Sequence, residues 1–172
     1  MKKLYNLANL ILLVLISNTL FTAYPNLPQR IPVHFDFAGN ADRWGDKGGL
    51  IGLAAVAWGM TTIFYLLSHN LRRFGLKSRS FNVPYKKQFL KLPEEKQSTY
   101  WDLAKEFLVG LMVGTNLLWY LLLRGTLKII SGEMSDLSLK TMLPALAVMI
   151  LMLIVYLQRM YTLPGKLIRS QE

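Results

Sequence analysis

Four long apolar runs, Leu4–Tyr24, Leu50–Leu67, Leu103–Leu123 and Thr141–Tyr161, constrain this chain more than any other feature and fill nearly half of its 172 residues. A membrane-spanning helix needs about 20 mostly apolar residues, because ~1.5 Å of rise per residue must cross roughly 30 Å of hydrocarbon. Each run is near that length. Lipid offers the backbone no hydrogen-bond partners, so a single segment can cross it only as a helix. The runs predict an all-α integral membrane protein of four transmembrane helices.

Composition fits one helical bundle: 52% of the residues are hydrophobic, and no stretch is long enough for a separate soluble domain. Cysteine is absent, which excludes disulfides, thiolate nucleophiles and cysteine-ligated metals. The formal charge of +10 would suit nucleic acid, but no nucleic-acid-binding motif accompanies it and its distribution follows the spans instead. Eight of the 20 Lys and Arg lie between the second and third runs: Arg72, Arg73, Lys77, Arg79, Lys86, Lys87, Lys91 and Lys96. Lys2, Lys3, Arg159, Lys166 and Arg169 bring that side to 13. The other two connections hold six: Arg30, Arg43, Lys47, Arg124, Lys128 and Lys140. Cytoplasmic loops carry the excess of positive charge, so both termini are expected inside a bacterial cytoplasmic membrane. The first run has no small-x-small cleavage site beyond its apolar core and reads as a retained helix rather than a signal peptide.

The organisation expected is therefore a region over residues 1–70 comprising two spans and the extracellular 25–49 loop, a basic cytoplasmic loop over 71–102, spans three and four over 103–161, and a cytoplasmic tail over 162–172. Pro25, Pro28 and Pro32 stop the first helix and favour an extended path. From Ile31 to Phe37 apolar and polar residues alternate, which predicts a short strand with Ile31, Val33, Phe35 and Phe37 on one face and His34 and Asp36 on the other. Pro93-Glu94-Glu95 reads as a helix start running straight into the third span. The basic loop, with Phe74, Phe81, Tyr85 and Phe89, reads as a segment lying on anionic headgroups.

Small residues recur at helix-packing spacing in Ala55-x-x-x-Gly59 and Gly110-x-x-x-Gly114. They predict a close contact between spans two and three, with homodimerisation through one stripe as the rival. Asn9, Asn18 and Asn116 are candidates for buried interhelical hydrogen bonds. No carboxylate falls at mid-membrane, and no Ser–His–Asp order, HExxH or phosphate loop is present, so no enzymatic activity and no cofactor are expected.

The first loop carries the remaining chemistry. His34, Asp36, Asp42 and Asp46 supply nitrogen and oxygen donors, but one His among several Asp is a poor zinc pattern, and no metal is expected. The structural alternative has His34 bonding the turn around Gly39, Lys47 neutralising Asp42 or Asp46, and Trp44 anchoring at the interface. As a set, Leu27-Pro28-x-x-Ile31-Pro32-x-His34-Phe35, then Gly39, Asp42, Trp44-Gly45 and Lys47, resembles the DUF1648 domain. That domain occurs in bacterial membrane proteins, including the SdpI family of immunity proteins against a secreted toxic peptide. The resemblance covers roughly Tyr24 to Leu50 and the flanking helices.

It implies that His34, Phe35, Gly39, Asp42, Trp44 and Lys47 form the characteristic loop. The function expected is recognition of an extracellular membrane-active peptide, with His34, Phe35, Asp36, Asp42, Trp44 and Lys47 as the recognition residues. Two other functions compete with it. One is a sensor or scaffold that binds a cytoplasmic protein through the basic loop. The other is a small-solute transporter using Asn18 and Asn116.

Overall fold

The computed structural model describes residues 2–77, 82–137 and 139–170. In chain order the elements are α1 (Lys2–Ala23), a 3-10 turn (Tyr24–Asn26), β1 (Arg30–Phe35), β2 (Ala41–Asp46), α2 (Gly48–Lys77), a single turn α3 (Lys86–Phe89), α4 (Glu94–Ile130) and α5 (Leu139–Arg169). Among the described residues four helices are long and apolar enough to cross a membrane: Lys2–Asn26, Gly48–Gly75, Glu94–Ile130 and Met142–Arg169. The chain is a multi-pass membrane protein on that ground. Its outward surface agrees, because Leu10, Val14, Ile63, Val148, Leu151 and Ile154 are all at least half exposed. In water such faces would be aggregation surfaces, whereas in lipid they are the solvated ones.

α4 runs unbroken for 37 residues, with Glu94 and Glu95 at its positive end and Lys128 at its negative end. It is the hub of the bundle. α1, α2 and α5 each pack along it, α1 and α2 touch one another less, and α2 and α5 share no comparable interface. The buried positions hold polar groups as well as Leu13, Ile16, Ala57 and Leu123. The Asn116 amide, fully buried, donates to Asn9 Oδ1 at 2.9 Å and Thr61 Oγ1 at 3.0 Å, and Asn9 donates to the Val109 carbonyl at 3.0 Å. This knot fastens α1 and α2 to the middle of α4. Asn18, the third candidate for such a role, lies exposed on α1.

The expected contact between Ala55-x-x-x-Gly59 and Gly110-x-x-x-Gly114 does not form. Gly110 faces Met152 of α5 and Tyr5 of α1, and Gly114 faces Met149 of α5. Flexible methionines fill the space the missing Cβ atoms leave. Ala55 and Gly59 point outward, and a Cβ at Gly59 would meet nothing within 4 Å. Helix spacing identified both small faces, but which neighbour each would meet depends on how α4 is rotated.

At the end away from the strands, the basic segment folds into a cap. Val83, Phe89 and Leu92 bury against Tyr100 and Trp101 of α4 and against Met160, Leu163, Leu167 and Ile168 of α5. Phe89, expected at the headgroups, is fully buried, while Phe74 and Tyr85 are more than half exposed. Arg72 pairs with Glu94 across this cap. Arg79 and Phe81 lie outside the described residues.

Candidate functional site

The 30–46 segment is an antiparallel hairpin rather than a lone strand. Arg30 pairs with Asp46, Ile31 with Gly45, Pro32 with Trp44, His34 with Arg43 and Phe35 with Ala41. The register shifts between Pro32 and His34 and again between His34 and Phe35, leaving Val33 and Asp42 without direct partners. Bulges of this kind break the two-residue period. The expected apolar face is split accordingly: Ile31 is fully buried, Val33 is 43% exposed and Phe37 stands entirely free. The Ala41–Asp46 strand carries no apolar alternation, which is why only its partner was visible in the sequence.

Each loop residue has a definite place. Asp36 opens the turn. Its carbonyl accepts from the Gly39 amide at 3.0 Å and its Oδ1 from the Asn40 amide at 2.8 Å. The Asn40 amide holds the Asp36 carboxyl below its ordinary pKa, chiefly through that backbone hydrogen bond. Gly39 closes the turn at φ +90°, a conformation costly for any residue with a Cβ. A side chain there would also overlap the Leu137 carbonyl. Gly45 is small for a different reason, since the Val33 methyls lie over it and a Cβ would sit 3.0 Å from Val33 Cγ1.

His34 and Asp42 meet across the hairpin, with His34 Nδ1 donating to Asp42 Oδ1 at 2.6 Å. The carboxylate can only accept, so Nδ1 carries a proton in this contact, and Nε2 has no hydrogen-bond partner among the described residues. Both side chains are about half exposed. His34 thus bonds Asp42 and not the turn around Gly39. Lys47 does not neutralise an aspartate either. Its Nζ donates to the carbonyls of Leu27 at 3.3 Å and Tyr24 at 3.4 Å and lies 4.8 Å from the Tyr24 ring centroid. Carbonyls at a helix C-terminus lack intrahelical donors and carry partial negative charge, which a lysine at the start of α2 can reach. Asp46 accepts instead from Gln29 at 2.9 Å and from the Gly48 amide at 2.7 Å, where it meets the positive end of α2. Among the described residues no three His, Cys, Asp or Glu converge.

Beneath the hairpin lies a groove of about 520 Å³ between α2, α4 and the start of α5. Pro32 and Phe35 form its roof, Leu50 and Leu53 one wall, and Leu122 and Met142 the other side. Both α2 and α5, which share no comparable interface, contribute to its lining. Phe37 lines it too, exposed, while Trp44, half exposed on the same hairpin, is not among its lining residues. Of the recognition residues expected from the sequence, His34, Phe35 and Asp36 line the groove, whereas Asp42 joins them only through His34 and Lys47 belongs to the junction of α1 and α2. Leu122, Leu137 and Met142 carried no local signal, since they reach the site only through helix packing.

Residues 10–65 match the family DUF1648, a domain of unknown function. The match takes in most of α1, the whole hairpin and α2 as far as Tyr65, about a third of the chain. No curated protein and no solved structure matches the chain.

Proposed function

We propose that this chain is a non-enzymatic protein of a bacterial cytoplasmic membrane whose 25–49 segment faces outward and binds a membrane-active peptide. The SdpI-type immunity proteins, which the loop motif resembles, supply the analogy. The bias of 13 Lys and Arg against six supports the orientation, with both termini inside. One observation carries the reading. An ordered hairpin roofs a mostly apolar groove lined by residues of α2, α4 and α5, with Phe37 exposed at the groove and Trp44 half exposed on the same hairpin. An amphipathic peptide arriving at the outer leaflet would lay its apolar face in such a groove. His34 Nε2 and the exposed Arg43 would supply polar contacts at the rim. Holding the peptide at that level would keep it from assembling or inserting.

The test is deletion of the gene followed by challenge with a panel of peptide toxins, including the products of neighbouring genes. Sensitivity should rise toward at least one peptide and be restored by the native chain. A photocrosslinker at position 37 should capture that peptide. Unchanged sensitivity across the panel would sink the reading.

A second reading is motivated by the cap at the other end, where Tyr85 and Leu90 are exposed beside Lys86, Lys87 and Lys91. That surface would suit a cytoplasmic partner protein, and capture of a defined protein by crosslinking from Tyr85 would favour it. Asn18 and Asn116 do not form a polar path for a solute between the helices, since one is exposed on α1 and the other buried in the knot on α4.

A further inference from the structure

We propose that the cleft between α1 and α2, in the half of the bundle away from the hairpin, binds one diacyl phospholipid. An acyl chain lies in the cleft, and the ester carbonyls accept hydrogen bonds from Asn6 and Tyr65. The cleft has a volume of about 420 Å³. α1 contributes Leu10 and Leu13, α2 contributes Phe64 and Tyr65, and Val109 and Met112 of α4 lie between them in the lining. No charged side chain among the described residues lines it. Toward the hairpin the lining stops at Leu13 and Trp58. There Trp58 Nε1 donates to Ser17 Oγ at 2.9 Å and bridges the two helices. Past that bridge Ile16, Leu20, Ala54 and Ala57 share one buried cluster. From Asn6 to Leu13 the helix rises about 10 Å, roughly a third of the hydrocarbon thickness.

The polar groups of the lining fall into two sets. Asn9 donates to the Val109 carbonyl at 3.0 Å and accepts from Asn116 at 2.9 Å. Thr61 and Thr62 donate to the carbonyls of Ala57 and Trp58 at 2.8 and 2.9 Å. These side chains are satisfied within the protein. The Asn6 amide and the Tyr65 hydroxyl are not, for neither makes a hydrogen bond among the described residues. Asn6 is part-buried and Tyr65 half exposed.

A donor left unpaired against hydrocarbon is costly, and an alkyl chain alone cannot relieve it. An ester carbonyl can, because it accepts and an amide N–H or a phenol O–H donates. A diacyl lipid brings two such carbonyls to two free donors on facing helices. The depth agrees. Asn6 is the third residue of the first apolar run, where hydrocarbon gives way to the polar interface. Lys3, one turn earlier on the same face, is exposed and makes no ion pair among the described residues. It stands where the phosphate of such a lipid would lie.

The test is native mass spectrometry of the full-length protein in detergent, titrated separately with a diacyl phosphatidylcholine and its dialkyl ether analogue of equal chain length. The ether keeps the headgroup and the chains but lacks both carbonyls. The diacyl lipid should be retained about tenfold more strongly, the size expected of two neutral hydrogen bonds. N6L/Y65F should erase that preference by lowering retention of the diacyl lipid alone, a selective loss that misfolding cannot produce. T62F puts a ring into the cleft at a residue whose hydroxyl serves only its own helix, and should lower retention of both lipids alike. Equal retention of the two lipids by the native chain, an ester preference that survives N6L/Y65F, or undiminished retention in T62F would each overturn the assignment.

Discussion

The backbone amide of Leu137 donates to the carbonyl oxygen of Gly39 at 2.7 Å. Through this bond the tip of the hairpin is held by the segment between α4 and α5, nearly a hundred residues away. The hairpin is thereby a fixed roof over the groove rather than a free arm, since two strands alone are marginal in water.

Gly39→Ala tests that roof. A residue with a Cβ at φ +90°, pressed on the Leu137 carbonyl, is expected to cost about 1–3 kcal/mol and to undock the tip. Hydrogen exchange at the Leu137 amide should accelerate in the variant, and retained protection would contradict the arrangement.

The polar knot should behave as a unit. Asn116→Leu removes the donor to Asn9 and Thr61 and strands buried polar atoms, at about 2 kcal/mol. Adding Asn9→Leu should cost less than the sum of the two single changes, because the partner left unpaired is then gone. Denaturant unfolding in a lipid-like detergent would measure the coupling, and simple additivity would dissolve the knot.

The two small stripes should separate cleanly. Gly114→Leu must displace Met149 at the α4–α5 contact and should cost about 1–3 kcal/mol by overpacking. Gly59→Leu meets open space and should change the stability of the single chain by no more than ~0.5 kcal/mol. Thermal unfolding of both variants checks the contrast. Altered sedimentation of Gly59→Leu alone would assign the outward stripe to a contact between copies.

The Asp36 turn should be insensitive to pH across the neutral range. Its carboxyl titrates below the ordinary 3.8 because the Asn40 amide bonds the ionised form. A depressed folded pKa stabilises the turn above 3.8 and loses that contribution only as pH falls through the lower folded value. Amide exchange at Asn40 should therefore be flat from about pH 5 to 8 apart from its intrinsic rate, and Asp36→Ala should raise it throughout that range. A step near neutrality that disappears in Asp36→Ala would contradict the assignment.

Part of the site was legible for definite reasons. Prolines at 25, 28 and 32 ended α1, and the residues from Ile31 to Phe37 read as extended from their alternation, though the strand stops at Phe35 and Asp36 already opens the turn. His34 and Asp42, eight apart, were recognisable as chemistry but not as partners. Their meeting depends on the two register shifts, which nothing in their spacing announces. Lys47 misled because neighbours in sequence suggested an aspartate, while its ammonium reaches the carbonyls of Tyr24 and Leu27 in the turn that follows α1. Phe89 misled in the opposite sense. A basic loop with aromatics reads as interfacial until α5 is seen to extend past the span and bury them.

By itself the sequence determined the four apolar helices, since run length and the demand for internal backbone hydrogen bonds leave lipid-crossing segments no other form. It also determined where the first helix stops and which loop carries polar and aromatic groups. Only the tertiary structure decided that α4 is the hub, that Gly110 and Gly114 face α5 while Gly59 faces outward, and that Leu137 holds Gly39. The reason is physical. Periodicity fixes which residues share a helix face, but the rotation of one helix against another is set by the fit of side chains many residues apart.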